Sequence, residues 1–121
     1  MSKPLWIRLV AVSGALVVLL GAFAAHGLEG HLTLAQRATY DTAVFYHAMH
    51  TLALLGVLNL TVDSRWLVRS AWCFAIGIVL FSGSLYALAV TGISLLGMIT
   101  PFGGGAFIIG WLLLLPATLT E

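Results

Sequence analysis

Four histidines and a tyrosine carry most of the chemistry this sequence could perform: His26, His31, Tyr46, His47 and His50. His47 and His50 stand three residues apart, so on a helix they share a face, and Tyr46 lies one turn before His50. Two imidazoles at that spacing can hold one metal ion, and His50 with His26 could ligate a haem iron. The plainer expectation is that each imidazole bonds a carbonyl or hydroxyl on a neighbouring helix, because intramembrane polar groups commonly tie helices together. The plainer one is preferred. No carboxylate sits beside the pair as a third ligand, since at ~100° per residue Asp41 falls on the opposite side of the helix from His50. No metal and no cofactor are expected, and the partner of His50 should lie on the first or third helix, with His26 and the Tyr86 hydroxyl as candidates.

Hydroxyls form a second group, in Ser82-Gly83-Ser84-Leu85-Tyr86. Ser82 and Tyr86 are one turn apart, and Gly83 with Ala87 makes a small-xxx-small pair that should pack closely on another span. A hydroxyl-lined solute path is the sharper alternative, but it needs other polar walls. Thr100, Pro101, Gly103, Gly104 and Gly105 form a candidate break whose free backbone groups could face an ion or headgroup, or could simply turn the chain. Gly14 and Gly21, with Ala25, read as a packing strip on the first helix, as Gly83 does on the third. Paired carboxylates, a Gly-rich phosphate loop and a Ser-His-Asp arrangement are all missing from the sequence. No catalytic residue is assigned, and the chain is not expected to be an enzyme.

These side chains need elements to position them, and the charge pattern says which. The 51 residues from Ser70 to Thr120 contain no Asp, Glu, Lys or Arg. A soluble fold of ~120 residues cannot bury such a run, whereas ~20 apolar residues suffice to cross a bilayer. With 61% apolar residues, 7% charged residues and a mean hydropathy of +1.10, the whole chain falls in the membrane class. The expected fold is an all-α integral membrane bundle. Four transmembrane helices form one domain, at about 5–25, 40–60, 67–90 and 97–118, with the last span kinked or broken near Pro101.

Local signals support these boundaries. Lys3 and Arg8 ahead of an apolar stretch, with Ala22-Phe23-Ala24 beyond it, could pass for a secretory signal. The charge-free run Leu9 to Ala25 has 17 residues, and Trp6 sits where an interfacial anchor belongs, so a retained helix is expected. Thr33 and Gln36 have capping-box spacing for a second helix starting near Leu34 and reaching about Leu60. Asp63 and Ser64 offer caps to a third from Arg65, and Thr91-Gly92-Ile93-Ser94 ends it. The fourth span is either a kinked helix from Leu95 to about Thr118 or a short turn at Ser94–Thr100 followed by a span starting near Gly104, and the break is preferred.

Lys3, Arg8, Arg65 and Arg69 lie on the side of the termini, and Arg37 is alone on the other, which places both termini in the cytoplasm. A proton-coupled exporter of the small multidrug type needs a buried acid in its first helix, and Leu9 to Ala25 has none. The formal charge of +1 leaves no basic patch for nucleic acid. Cys73 is alone, so it forms no intrachain disulfide and reads as a small buried thiol.

Four strings carry a family resemblance: Gly21-Ala22-Phe23-Ala24-Ala25-His26-Gly27, Tyr46-His47-Ala48-Met49-His50-Thr51-Leu52-Ala53, Phe81-Ser82-Gly83-Ser84-Leu85-Tyr86 and Thr100-Pro101-Phe102-Gly103-Gly104. In this order, over nearly the whole chain, they resemble the domain-of-unknown-function 423 family of small bacterial inner-membrane proteins, related to transmembrane protein 256 of animals. The family also places histidine at the positions of His26 and His50, and usually has glycine at that of Ala24. The resemblance implies a four-span inner-membrane protein and brings no activity with it. The expected role is non-enzymatic, within the lipid bilayer, by assembly as a homo-oligomer or an accessory subunit of a membrane-protein partner. A channel or carrier for a small solute and a haem- or quinone-associated redox subunit are the alternatives.

Overall fold

Residues 2–119 are described by the computed structural model, and among them every regular element is helical. Helix α1, Lys3–His26, carries proline in its first turn, where the missing N–H costs no hydrogen bond. The other end is closed from outside: the guanidinium of Arg37, paired with Asp41 at 3.0 Å, donates to the Ala24 carbonyl at 3.0 Å. Helix α2, Leu34–Leu58, opens on the expected capping box: Thr33 Oγ1 accepts from the Gln36 N–H at 3.1 Å, and Gln36 Oε1 accepts from the Thr33 N–H at 2.9 Å.

Helix α3 runs Arg65–Thr91, capped by the Ser64 side chain, and stops at Gly92, whose φ of 70° is the left-handed conformation that glycine adopts without strain. Helix α4, Ser94–Ala117, begins as a 3-10 turn over Ser94–Met98 and is α-helical from Thr100 to Leu112.

Three of these helices, α1, α3 and α4, are long and apolar enough to cross a membrane. The expectation of four such spans is met only in part. Helix α2 has the length, 25 residues, but its apolar run is diluted by Asp41, Tyr46, His47 and His50. It packs against α1 on one side and α3 on the other, with α4 lying on α3. The helix that stands out as polar in sequence is therefore the one whose polar groups are met by protein.

Three hydroxyls tie the bundle together in the same way, each donating to a main-chain carbonyl of a neighbouring helix. Tyr40 on α2 bonds Leu20 of α1 at 2.6 Å, Ser82 on α3 bonds Ala43 of α2 at 2.9 Å, and Ser70 on α3 bonds Gly110 of α4 at 2.7 Å. A helical carbonyl keeps a second lone pair, so these bonds leave the helix ladders intact.

The fourth span differs from expectation. Its α-helix starts at Thr100 rather than near Gly104, because Pro101 falls in the first turn, where a proline fits. Gly103, Gly104 and Gly105 lie inside the helix instead of breaking it. Gly103 is buried against the backbone of Leu80 and Phe81, which a Cβ would strike. At the same place α3 widens into a π-helical turn, Ile78–Ser82, a type of irregularity the sequence does not announce. Gly103 thus lets two backbones touch, while Gly104 meets only the Phe81 side chain at an ordinary 3.7 Å and Gly105 has open space beside it.

The glycines expected to pack do not make the closest approaches within the chain. Gly21 meets Val44 at an ordinary 3.7 Å, but the space beside Gly14 and Gly83 is open within the chain. Close approach occurs at Gly77, Gly103 and Gly110, where Phe107, the α3 backbone and Phe74 fill the place of a side chain. Small-xxx-small spacing marks a helix that could pack closely, and it leaves the facing partner unspecified.

Candidate functional site

His47 lies 4% exposed near the middle of α2, and both of its ring nitrogens are engaged. Nε2 is 2.9 Å from Ser13 Oγ on α1, and Nδ1 is 2.9 Å from the Tyr86 hydroxyl on α3. Ser13 Oγ is also 2.7 Å from Thr51 Oγ1, which in turn donates to the His47 carbonyl at 2.7 Å. For a neutral imidazole, counting protons fixes every direction. A carbonyl only accepts, so the Thr51 proton points there, and Ser13 must donate to Thr51. Ser13 has then no proton left for the ring, so Nε2–H donates to Ser13. Nδ1 is bare and accepts from Tyr86.

The network runs Tyr86, His47, Ser13, Thr51 and closes on the backbone of His47 itself. A proton relay needs an exit, and this one ends at a carbonyl. The arrangement ties α1, α2 and α3 together.

His50 is 2% exposed and equally constrained. Its Nδ1–H donates to the Tyr46 carbonyl at 2.8 Å, and Nε2 accepts from the Trp111 indole N–H at 3.0 Å. The ring stacks on Phe107 with centroids 3.6 Å apart and planes 9° apart, with Tyr46, Phe74 and Trp111 around it. The expected partners of His50 are therefore corrected. Trp111 on α4 takes the place of His26, and Tyr86 pairs with His47 instead.

Sequence spacing puts the two imidazoles on one face, yet they diverge to opposite flanks of α2. At a separation of ~100° per residue, i and i+3 differ by ~60°, enough to aim them at different neighbours. His26 and His31 are exposed at the connection between α1 and α2, where His31 Nδ1 donates to the Glu29 carbonyl at 3.0 Å.

Among the described residues no group of three His, Cys, Asp or Glu side chains could hold a metal ion. With both nitrogens of His47 and His50 already bonded, neither ring offers a lone pair to haem iron.

The hydroxyls of α3 are occupied too. Ser82 bonds Ala43, as above, and Ser84 donates to the Phe81 carbonyl at 3.0 Å while accepting from Thr100 Oγ1 at 2.6 Å. No buried side-chain nitrogen or oxygen among the described residues lacks a partner. Ser82 and Ser84 thus sit in helix contacts, whereas Tyr86 faces a cavity.

A groove of about 420 Å³ lies between α1 and α3 with α2 as its floor. Leu9, Val12, Leu16 and Leu20 form one wall, Ile78, Val79 and Gly83 the other, and Ser13, His47 and Tyr86 are its polar residues.

Four residues at the heart of these networks escape the sequence reading: Ser13, Thr51, Phe107 and Trp111. Ser13 is the lone hydroxyl within the apolar run of α1, and that isolation was a usable signal. Thr51 lies four residues after His47 and shares its face, another usable signal. Phe107 and Trp111 had none, because an aromatic in an apolar span is ordinary.

The match to known proteins is broad. The family model described as "Protein of unknown function (DUF423)" covers residues 20–104. The UPF0382 membrane protein YwdK of Bacillus subtilis is 46% identical over 115 residues, 93% of this chain and 94% of its own length. A UPF0382 membrane protein of Haemophilus influenzae is 45% identical over 111 residues, 91% of this chain and 90% of its own. The UPF0382 inner membrane protein YgdD of Escherichia coli is 40% identical over 118 residues, 95% of this chain and 89% of its own. No solved structure gives a significant match.

Proposed function

Since this chain belongs to the DUF423 family of membrane proteins, we propose that it is a non-enzymatic, four-span inner-membrane protein that acts by assembling with copies of itself. The family brings no activity, so the reading rests on the surface of the molecule. In support of the fourth span, the polar atoms that lower the hydropathy of α2 are bonded within the protein, which removes most of the cost of placing them in lipid. With four spans both termini share a side, and the Lys3, Arg8, Arg65 and Arg69 cluster favours the cytoplasm for it. Glu121 lies outside the described residues. YgdD is named an inner membrane protein, and the same location is proposed here.

The single observation behind assembly is the outer face of α1. Ala11, Ala15, Val18, Ala22 and Ala25 are all exposed and follow one another at steps of four and three residues. At ~100° per residue they fall within a band of ~80°, away from α2 and on the far side of α1 from the groove. Between helices in lipid there is no hydrophobic drive, and small residues allow the close backbone contact that replaces it. Four alanines and a valine in register form a seam suited to the same seam on a second copy.

Native mass spectrometry from mild detergent tests this. The wild type should appear as a homo-oligomer, and an Ala15→Leu, Ala22→Leu double variant as a monomer of unchanged thermal stability. A monomeric wild type, or an oligomer indifferent to both leucines, would remove the reading.

A further inference from the structure

The groove between α1 and α3 has a chemistry of its own, on the side of α1 away from the alanine seam. We infer that it is a binding site for a neutral lipid-soluble molecule with an apolar chain and a hydroxyl group, which donates its proton to Tyr86 or Ser13. Size comes first. About 420 Å³ lies within the range of small-molecule sites, which are mostly apolar with a few placed polar groups.

Charge comes second. No Asp, Glu, Lys or Arg lines the groove, so an ionic headgroup would enter without a counter-charge.

Depth narrows the class further. Ser13 is eight residues beyond Leu5, where the span begins, and so ~12 Å inside a ~30 Å hydrocarbon layer at 1.5 Å per residue. A phospholipid headgroup stays at the interface. Only a molecule uncharged throughout can place its polar end that far below the headgroups, as long-chain and isoprenoid alcohols and quinols do.

The proton count then distinguishes a donor from an acceptor. The Tyr86 hydroxyl gives its proton to His47 Nδ1 and receives none from any described residue, so its oxygen keeps lone pairs. Ser13 Oγ takes one proton from His47, gives its own to Thr51, and keeps one further lone pair. Both polar atoms therefore present acceptors, and a ligand carbonyl or ether would face oxygen with no proton between. A quinol fits where the corresponding quinone does not.

The inference takes its depth from the four-span reading but is independent of assembly. A photoreactive long-chain alcohol, its methyl ether and the carboxylic acid of equal chain length, each reconstituted with the protein in vesicles, provide the probes. The alcohol should crosslink to peptides spanning residues 9–20 and 75–86. Unlabelled alcohol should displace it, and the ether and the acid should label about five- to tenfold less, as the loss of one hydrogen bond implies.

Tyr86→Phe should reduce the preference for the alcohol. Because that change also strips His47 of a donor, Val79→Trp is the companion: its side chain is 68% exposed, so the fold tolerates the indole, which occupies the groove. Val79→Trp should abolish labelling, while Leu112→Trp on the outer face of α4 leaves it unchanged. Equal labelling by alcohol and ether, labelling spread over the outer faces of α1 and α4 as by bulk lipid, or indifference to Val79→Trp would each overturn the inference. Labelling that survives monomerisation by the alanine-to-leucine pair separates the groove from the seam.

Discussion

The indole N–H of Trp111 meets His50 Nε2 at 3.0 Å, joining helices separated by sixty-one positions in sequence. That bond, together with the Tyr46 carbonyl, accounts for both nitrogens of a histidine that is 2% exposed. Trp111→Phe preserves most of the ring packing and leaves Nε2 without a donor, a loss of about 1–3 kcal/mol for a buried group. Thermal melting in detergent should show Trp111→Phe and His50→Leu both destabilised, and the double variant less so than their sum. His31→Leu should be nearly silent, since His31 is exposed. Additive losses at positions 50 and 111 would mean that the two side chains do not interact.

Glycine positions separate contact from mere spacing. Gly103→Ala drives a methyl into the backbone of Leu80 and Phe81, so it should destabilise by roughly 1–3 kcal/mol, as overpacking does. Gly83→Ala has open space around it and should leave the melting temperature of the monomer unchanged. Equal effects would mean that α3 and α4 do not touch at Gly103.

Orientation yields to cysteine labelling. A cysteine at His31 should react with an impermeant thiol reagent in intact cells, and one at Val62, in the connection between α2 and α3, should not. That contrast requires α2 to cross the bilayer despite its histidines. Labelling at both positions would place α2 along the surface, and a reversed pattern would turn the protein over.

Much of the architecture is legible from sequence. The capping box at Thr33 and Gln36, the Ser64 cap and the stop at Gly92 are local signals, each decided by the few residues around it. Pro101 misleads because a proline that breaks one helix can start another, and only its neighbours in space decide. Gly103 after it is a tertiary contact, invisible until α3 lies alongside.

The same holds for the polar core. His47 and His50 are conspicuous in sequence, and their plain structural role follows from the cost of burying an unpaired imidazole. Which groups answer them does not follow. Ser13, Tyr86 and Trp111 come from three different helices, and the angle between His47 and His50 that sends them apart is set by helix packing rather than by spacing.

The central claim is that the buried histidines are fixed structural hubs, with each ring nitrogen assigned by its bonded neighbours. Nitrogen-15 NMR of selectively labelled histidine, recorded on the protein in lipid, reads those assignments directly. His47 should appear as the Nε2–H tautomer and His50 as the Nδ1–H tautomer, each without exchange, with His26 and His31 showing the averaged signals of exposed rings. A metal-shifted or paramagnetically broadened resonance from either buried histidine, or tautomer exchange in both, would contradict the account.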